Sequence, residues 1–336
     1  MKKTISLLTT DPKALLDLIE KGECSFEFPE RLFDDDFPGH YYRKIKTIAI
    51  SIPAIVGPYQ NIKATLTQLG NQVIIKPDPN AVNFLLGATD AVMPGPDAMR
   101  SNWLINQQIA LSRGSNDSGV FELNFNDDRY LPFEGTGAVS SWRLSMPKQT
   151  NRIRFESISD VIIHIRYTAI DGGSKFRREV TGLSSMKDYF GSRFFAMANM
   201  FPRQWFGFLN NLTDPAQLTF TLQNLSPAHI NDPKLTGFYF KLDVAEEVDL
   251  QWNKKYVQLV LPAAASAVID FMPDSNGGFL HTFDTPPLLQ LAEGDYSINF
   301  LLKQAPADLI KDGFLNGKLV KDIKLILFYK GETEWD

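Results

Sequence analysis

Ser159-Asp160-Val161-Ile162-Ile163-His164-Ile165-Arg166-Tyr167 and Lys321-Asp322-Ile323-Lys324-Leu325-Ile326-Leu327-Phe328-Tyr329 are written to one pattern. In both, an aspartate opens an apolar run and a tyrosine closes it seven positions on. Runs of this length, rich in β-branched and aromatic residues, fit strands. Each is preceded by a strand-like stretch carrying an aromatic residue, at Trp142 and at Tyr296. The pair implies two related β-halves in one chain.

Working outward, the same period of two recurs. It is seen at Ser25–Phe28, Ile45–Ile52, Ile62–Leu69, Val120–Phe125 and Trp142–Met146 in the first half. Leu218–Leu222, Phe238–Leu242, Tyr256–Leu261 and Tyr296–Leu301 repeat it in the second. Short strands bounded by Pro, Gly and Asp predict an all-β, mainly antiparallel fold of two β-sandwich-like halves. Two stretches break the pattern. Asp11-Pro12 opens a short helix that Gly22 closes, with Asp11 as cap and Pro12 in the first turn. Met186, Tyr189, Phe190, Phe194, Met197, Phe201, Trp205 and Phe208 recur mostly every three or four residues, which predicts a bridging helix broken at Pro202. The resulting division is a helical stub over 1–22, a first half over 23–175, a bridging helical segment over 176–214 and a second half over 215–336.

The chain has 336 residues, 44% of them apolar, with 25 Phe and 10 Tyr, so a sizeable core is available. A formal net charge of -5 argues against nucleic acid as the main partner. Cys24 is the single cysteine, so no internal disulfide forms. Met1-Lys2-Lys3 leads into an apolar stretch too short for a signal peptide, and no run is long enough to cross a bilayer.

Chemistry-bearing residues are few and scattered. Asp34-Asp35-Asp36 lacks the spacing of a calcium loop and reads as a solvated turn. Asn126-Asp127-Asp128 beside Arg129 reads as a structural ion pair. His40, His164, His229 and His281 have no zinc-pair spacing; His164 is expected to be a satisfied strand residue and His40 to fix a turn. No nucleophile motif is present, Cys24 has no evident histidine partner, and Gly135-Thr136-Gly137 is too short for a dinucleotide loop. Carboxylate pairs drawn from Glu122, Asp127 and Glu134 are no more than any β-protein supplies. The expectation is a protein that is not an enzyme, with no cofactor, no metal and no catalytic residue.

Residues 23–60 carry a more specific signal. Glu23-Cys24-Ser25-Phe26-Glu27-Phe28-Pro29-Glu30-Arg31-Leu32-Phe33-Asp34 is followed by Asp36-Phe37-Pro38-Gly39-His40-Tyr41 and by Ser51-Ile52-Pro53-Ala54-Ile55-Val56-Gly57-Pro58-Tyr59. Asn116–Glu122, Asp128–Gly135, Trp142-Arg143-Leu144 and Ile158–Ala169 continue in the same order, as do Phe194–Met197 and Phe201–Trp205. This succession resembles the carboxy-terminal TcB-binding domain of Tc toxin A subunits. The resemblance is strong over residues 11–170 and fades beyond about 215. It implies a non-catalytic module, part of a funnel that docks the β-propeller of a TcB–TcC cocoon. It also implies a homopentamer in the full-length family, made without a signal peptide and released as part of a toxin complex. Residues 1–22 resemble the end of a channel helix. The channel, shell and receptor-binding regions have no counterpart here, so the chain is expected not to form a pore or insert into a membrane itself.

The interface residues are not named by the sequence. Loops rich in Arg, Tyr and Trp are favoured at such surfaces, which points to the Pro-rich excursion 76–118 and to the loop 262–290. The alternative is a carbohydrate-binding, lectin-like sandwich, for which Trp103, Trp142, Trp205, Trp252 and Trp335 would be the stacking candidates. Of these, Trp142 and Trp205 are expected in the core, and Trp252 and Trp335 at the surface.

Overall fold

A computed structural model describes every residue except 55–60, 104–106, 115–119, 124–132, 251–252, 264, 266, 284–286 and 334–336. Of residue 61 and of strands within 107–114 and 120–123, only the backbone is described. The chain divides into two compact units, with the break between Asp188 and Tyr189.

The first unit begins with β1 (Lys2–Ser6), α1 (Leu7–Thr10), α2 (Pro12–Lys21), β2 (Glu23–Phe28) and α3 (Glu30–Asp34). It continues with β3 (His40–Pro53), β4 (Asn61–Ile74), α4 (Pro79–Leu85), β5 (Met99–Asn102), β6 (Gln107–Gly114) and β7 (Val120–Leu123). It ends with β8 (Val139–Ser145), β9 (Ile162–Asp171), α5 (Gly173–Thr181) and α6 (Ser184–Lys187). One sheet has the order β1-β9-β3-β7; the other has β2-β8-β4, with β5 and β6 end to end along the free side of β4. Every pairing between these strands is antiparallel.

The second unit runs β10 (Asp188–Ala196), α7 (Met197–Met200), α8 (Pro202–Leu209), β11 (Ala216–Leu222), β12 (Ile230–Val244) and β13 (Val257–Val260). Then come β14 (Val268–Phe271), β15 (Gly278–Thr282), β16 (Leu289–Gln290), β17 (Gly294–Phe300), β18 (Ile310–Lys311), β19 (Phe314–Leu315) and β20 (Val320–Thr333). Its two main sheets have the orders β10-β20-β12-β15, with β16 also paired to β12, and β11-β17-β13-β14; β18 and β19 pair separately.

The two orders are the same once the strands are matched in chain order. β1, β9, β3 and β7 correspond to β10, β20, β12 and β15; β2, β8, β4 and β6 correspond to β11, β17, β13 and β14. Eight antiparallel strands split in this way between two facing sheets form a jelly roll. The chain is therefore two jelly rolls in tandem.

Finer details repeat as well. Asp160 Oδ1 accepts from Val161 N at 2.7 Å and from Leu8 N at 2.9 Å. Asp322 Oδ1 accepts from Ile323 N at 2.8 Å and from Ala198 N at 2.9 Å. Each aspartate thus caps the short helix that follows the neighbouring edge strand. In both units that helix leads through a proline, Pro12 or Pro202, into the next one. β3 and β12 each carry an irregularity near their start, with Tyr42 at φ 53° and Asp232 at φ 45°.

Alternation explains the cores. Cys24, Phe26 and Phe28 point inward from β2, and Ala216, Leu218, Phe220 and Leu222 from β11. Trp142 and Tyr296 fill matching places on β8 and β17, and each finds a hydrogen bond, to Ser140 Oγ and to the Ala292 carbonyl, both at 2.8 Å.

Three expectations are corrected. Residues 1–22 are not a helical stub: Lys2–Ser6 is a strand paired along β9, and the helices are the short α1, Leu7–Thr10, and the longer capped α2, Pro12–Lys21. The sheet offers Thr4 and Ile5 backbone partners that a free helix end lacks. The bridging helix over 176–214 exists only in pieces, because Asp188–Ala196 is a strand beside β20. Gly191 lies in its middle, under the Tyr329 ring, where a Cβ would come within 2.4 Å of Cζ. Glycine disfavours the helix that the aromatic spacing suggests. The halves also meet between Asp188 and Tyr189 rather than around a bridge at 176–214, since α5 and α6 belong to the first unit and α7 and α8 to the second.

Candidate docking surface

The excursion between β4 and β6 is an ordered platform over its described part. Asp78 caps α4, and Pro79 starts it. Asn80 Nδ2 donates to the Val92 carbonyl at 2.9 Å, which ties the following loop back to the helix. Ala81 and Val82 share a small core with Ile74, Met99, Phe176 and Val180, so α4 packs on α5. Ser185 Oγ donates to Asn83 Oδ1 at 2.6 Å. With the backbone held this way, Val92 and Met93 are each 71% exposed and Trp103 is 61% exposed.

Trp103 has a specific seat. It lies against Gly70, where a Cβ would come within 2.5 Å of the indole Cε3. Gly70 sits at the register shift between β4 and β8. The missing side chain lets a large ring lie on the sheet edge with its other face to solvent. An aromatic anchor on a rigid support is the residue type that dominates protein interfaces.

In the second unit, the region 262–290 is built from β14, β15 and β16. Phe271 and Phe279 stack at 4.5 Å between centroids, His281 and Phe283 follow edge-on at 4.7 Å, and Val268 and Leu280 are exposed. The sequence reading did not single out Phe206, which is 70% exposed on α8. Matching Pro12 with Pro202 places Phe206 opposite Leu16, a buried residue. That offset was present in the sequence.

The other candidates separate clearly. Trp142 and Trp205 are buried, as expected. Trp252, Trp335, Asn116–Gly119 and residues 126–132 lie outside the described residues, as does the side chain of Glu122. His164 is satisfied, with Nδ1 at 3.1 Å from Thr4 Oγ1 and Nε2 at 3.4 Å from Ser51 Oγ. His40 closes its turn through the backbone, its N–H donating to the Phe37 carbonyl at 3.3 Å, while the ring stacks on Phe37 at 5.5 Å and its buried Nδ1 has no hydrogen-bond partner. The run Asp34-Asp35-Asp36 is not a solvated turn throughout. Asp35 pairs with Arg31 at 2.7 Å and Asp36 with Lys3 at 2.8 Å, but Asp34 is fully buried on Arg43. Helix α3 turns it inward. Cys24 is buried, which pushes its thiol up to about 12 and leaves it protonated and unreactive. Among the described residues, no three of His, Cys, Asp and Glu gather as metal ligands.

The first unit is thus a paired-sheet scaffold with an exposed aromatic ring on a braced loop. The comparisons give its kind. The family model of the Tc toxin complex TcA C-terminal TcB-binding domain matches residues 1–169, and the chain belongs to that family. Toxin subunit YenA2 of Yersinia entomophaga is 42% identical over 183 residues, covering 53% of this chain and 13% of YenA2. The structure of TcdA4 from Morganella morganii is 28% identical over 51% of this chain and 7% of its own, with a TM-score of 0.29. The matches thus span a small part of those relatives. The jelly-roll assignment rests on the strand orders above, and the second unit lies beyond the family match.

Proposed function

We propose that this chain is a non-catalytic docking module whose first unit grips the β-propeller of a TcB-like subunit, as part of a Tc toxin translocation complex. The observation that carries the reading is the family match over the unit that presents Trp103, Val92 and Met93 on a braced edge. The proposal includes a homopentameric setting, in which several copies present this edge together. It also includes release with a toxin complex, where the module's work is assembly.

The test is calorimetric titration of the chain with a TcB-like propeller subunit. Trp103→Ala is expected to weaken binding at least tenfold, since a central aromatic anchor is worth about 2 kcal/mol or more. Unfolding stability should change little, because the ring is mostly in solvent. Binding to a glycan panel with none to the propeller would instead support a lectin-like module. Mass measurement in solution reports the oligomeric state.

A further inference from the structure

The corner between β2 and β3 holds a buried arrangement that docking does not use. Glu30 and Asp34 lie one turn apart on α3, and both reach the guanidinium of Arg43. Arg43 Nη1 donates to Glu30 Oε1, and Nη2 donates to Asp34 Oδ1 at 2.6 Å and to the Phe37 carbonyl at 3.0 Å. All three side chains are enclosed, with relative exposures of 2%, 0% and 3% for Glu30, Asp34 and Arg43. Arg43 is aimed there by the irregularity in β3, beside Tyr42 with its positive φ. The Phe33 ring packs against Tyr167 at 5.1 Å and lies 5.9 Å from the guanidinium carbon.

Two carboxylates face one cation. Fully ionised, the corner would hold a net negative charge away from water, which is costly. Carboxylates that share one partner do not both ionise readily. The atoms mark where a proton belongs. Asp34 Oδ1 keeps the Arg43 bond, whereas Asp34 Oδ2 is buried with no hydrogen-bond partner, as is Tyr167 Oη. We propose that this corner is a one-proton lock: Asp34 carries a proton on Oδ2 in the folded protein, and its loss at alkaline pH loosens α3 from the base of β3.

Burial and the neighbouring Glu30 both push Asp34 the same way, up to about 8. The surrounding charges do not supply the missing cation. Arg31 pairs with Asp35, and Lys3 on β1 pairs with Asp36. Burial, with Arg43 and Arg177 of α5 nearby, holds the His40 imidazole on β3 below its usual range despite Asp171 of β9, so it adds no cation. The Met1 amine donates to the Tyr167 carbonyl at 2.8 Å. The second jelly roll shows that the fold itself does not need the lock. Its β11–β12 connection, residues 223–229, contains no helix, and its irregularity holds Pro233 one place after Asp232, where β3 has Arg43 after Tyr42.

The sign follows from linkage. An unfolded aspartate ionises near pH 4, so between about 4 and 8 unfolding releases the proton. The stabilisation is full below the ordinary aspartate range and is lost as pH rises through 8. Pulse proteolysis in urea, read on first-unit peptides of the full chain, follows it. From pH 6 to pH 9 the folding constant should fall on the order of a hundredfold more in the parent than in Asp34→Asn. Asparagine keeps an oxygen for Arg43 and needs no proton. Parallel pH profiles for the two would overturn the proposal. Glu30→Gln leaves Asp34 as the single carboxylate on Arg43, so it too should flatten the profile. A slope as steep as the parent's in Glu30→Gln would sink the shared-proton reading even if Asp34→Asn failed to fold.

Discussion

Replacing Asp160 tests the capping device that recurs in the two units. Its Oδ1 accepts two backbone N–H groups, from Val161 and Leu8, and its Oδ2 accepts from Ser6 Oγ at 2.6 Å. Asp160→Ala removes all three hydrogen bonds at a part-buried site. Bonds to a charged group contribute about 1.5–3 kcal/mol each, and water can partly replace them here, so the expected loss is about 2–4 kcal/mol. Asp160→Asn keeps Oδ1 for both N–H groups and offers Nδ2 to Ser6 Oγ, so it should cost under about 1 kcal/mol. Hydrogen exchange of the full chain, read by peptide, gives the opening free energy of each unit. Asp160→Ala should raise exchange within 1–188 and leave 189–334 unchanged. Asp322→Ala should do the reverse, since Asp322 Oδ1 makes the corresponding bonds to Ile323 and Ala198. If Asp160→Asn were as damaging as Asp160→Ala, the acceptor geometry would not be the cause. If Asp160→Ala cost less than about 0.5 kcal/mol, the cap would be incidental.

Three further outcomes are expected. Gly277→Ala should destabilise the second unit by at least about 2 kcal/mol, because its Cβ would fall 2.1 Å from the Leu242 carbonyl oxygen at a φ of +82°. Gly87→Ala, also at positive φ but with nothing within 4 Å, should cost only about 1 kcal/mol, and urea titration of the two variants reads both losses. Cys24 should resist a thiol reagent at pH 8 in the folded chain and react stoichiometrically once urea unfolds it; rapid labelling of the native protein would contradict its burial and raised thiol.

The repeat of the jelly roll bears on how the module is used. The family match ends within the first unit, yet the second unit keeps its strand order, its capping aspartate and its proline-started helix. What differs lies at the edges. The first unit adds α3 with its buried ion cluster and the α4 platform, and the second exposes Phe206 where the first buries Leu16. Shared cores with divergent rims are what two copies of one scaffold with separate duties would show.

Much of this was legible in the chain alone. Alternation marked nearly all the long strands, because inward and outward positions differ every second residue whatever the partner strand is. Asp11-Pro12 and Gly22 delimited α2, because caps act within one turn. The twin Asp-to-Tyr motifs announced the duplication, since β9 and β20 need the same buried face and the same cap. Three features needed the tertiary structure. Residues 188–196 carry helical spacing, yet β20 beside them supplies a ladder of backbone bonds, and that neighbour is distant in sequence. Asp34 looks like its exposed neighbours until Arg43 is turned onto it by the β3 irregularity. Trp103 lies on the sheet edge only because Gly70, 33 residues earlier, leaves a flat seat. Local periodicity is a property of the chain, whereas the choice of which side chain meets which partner is made when the sheets close.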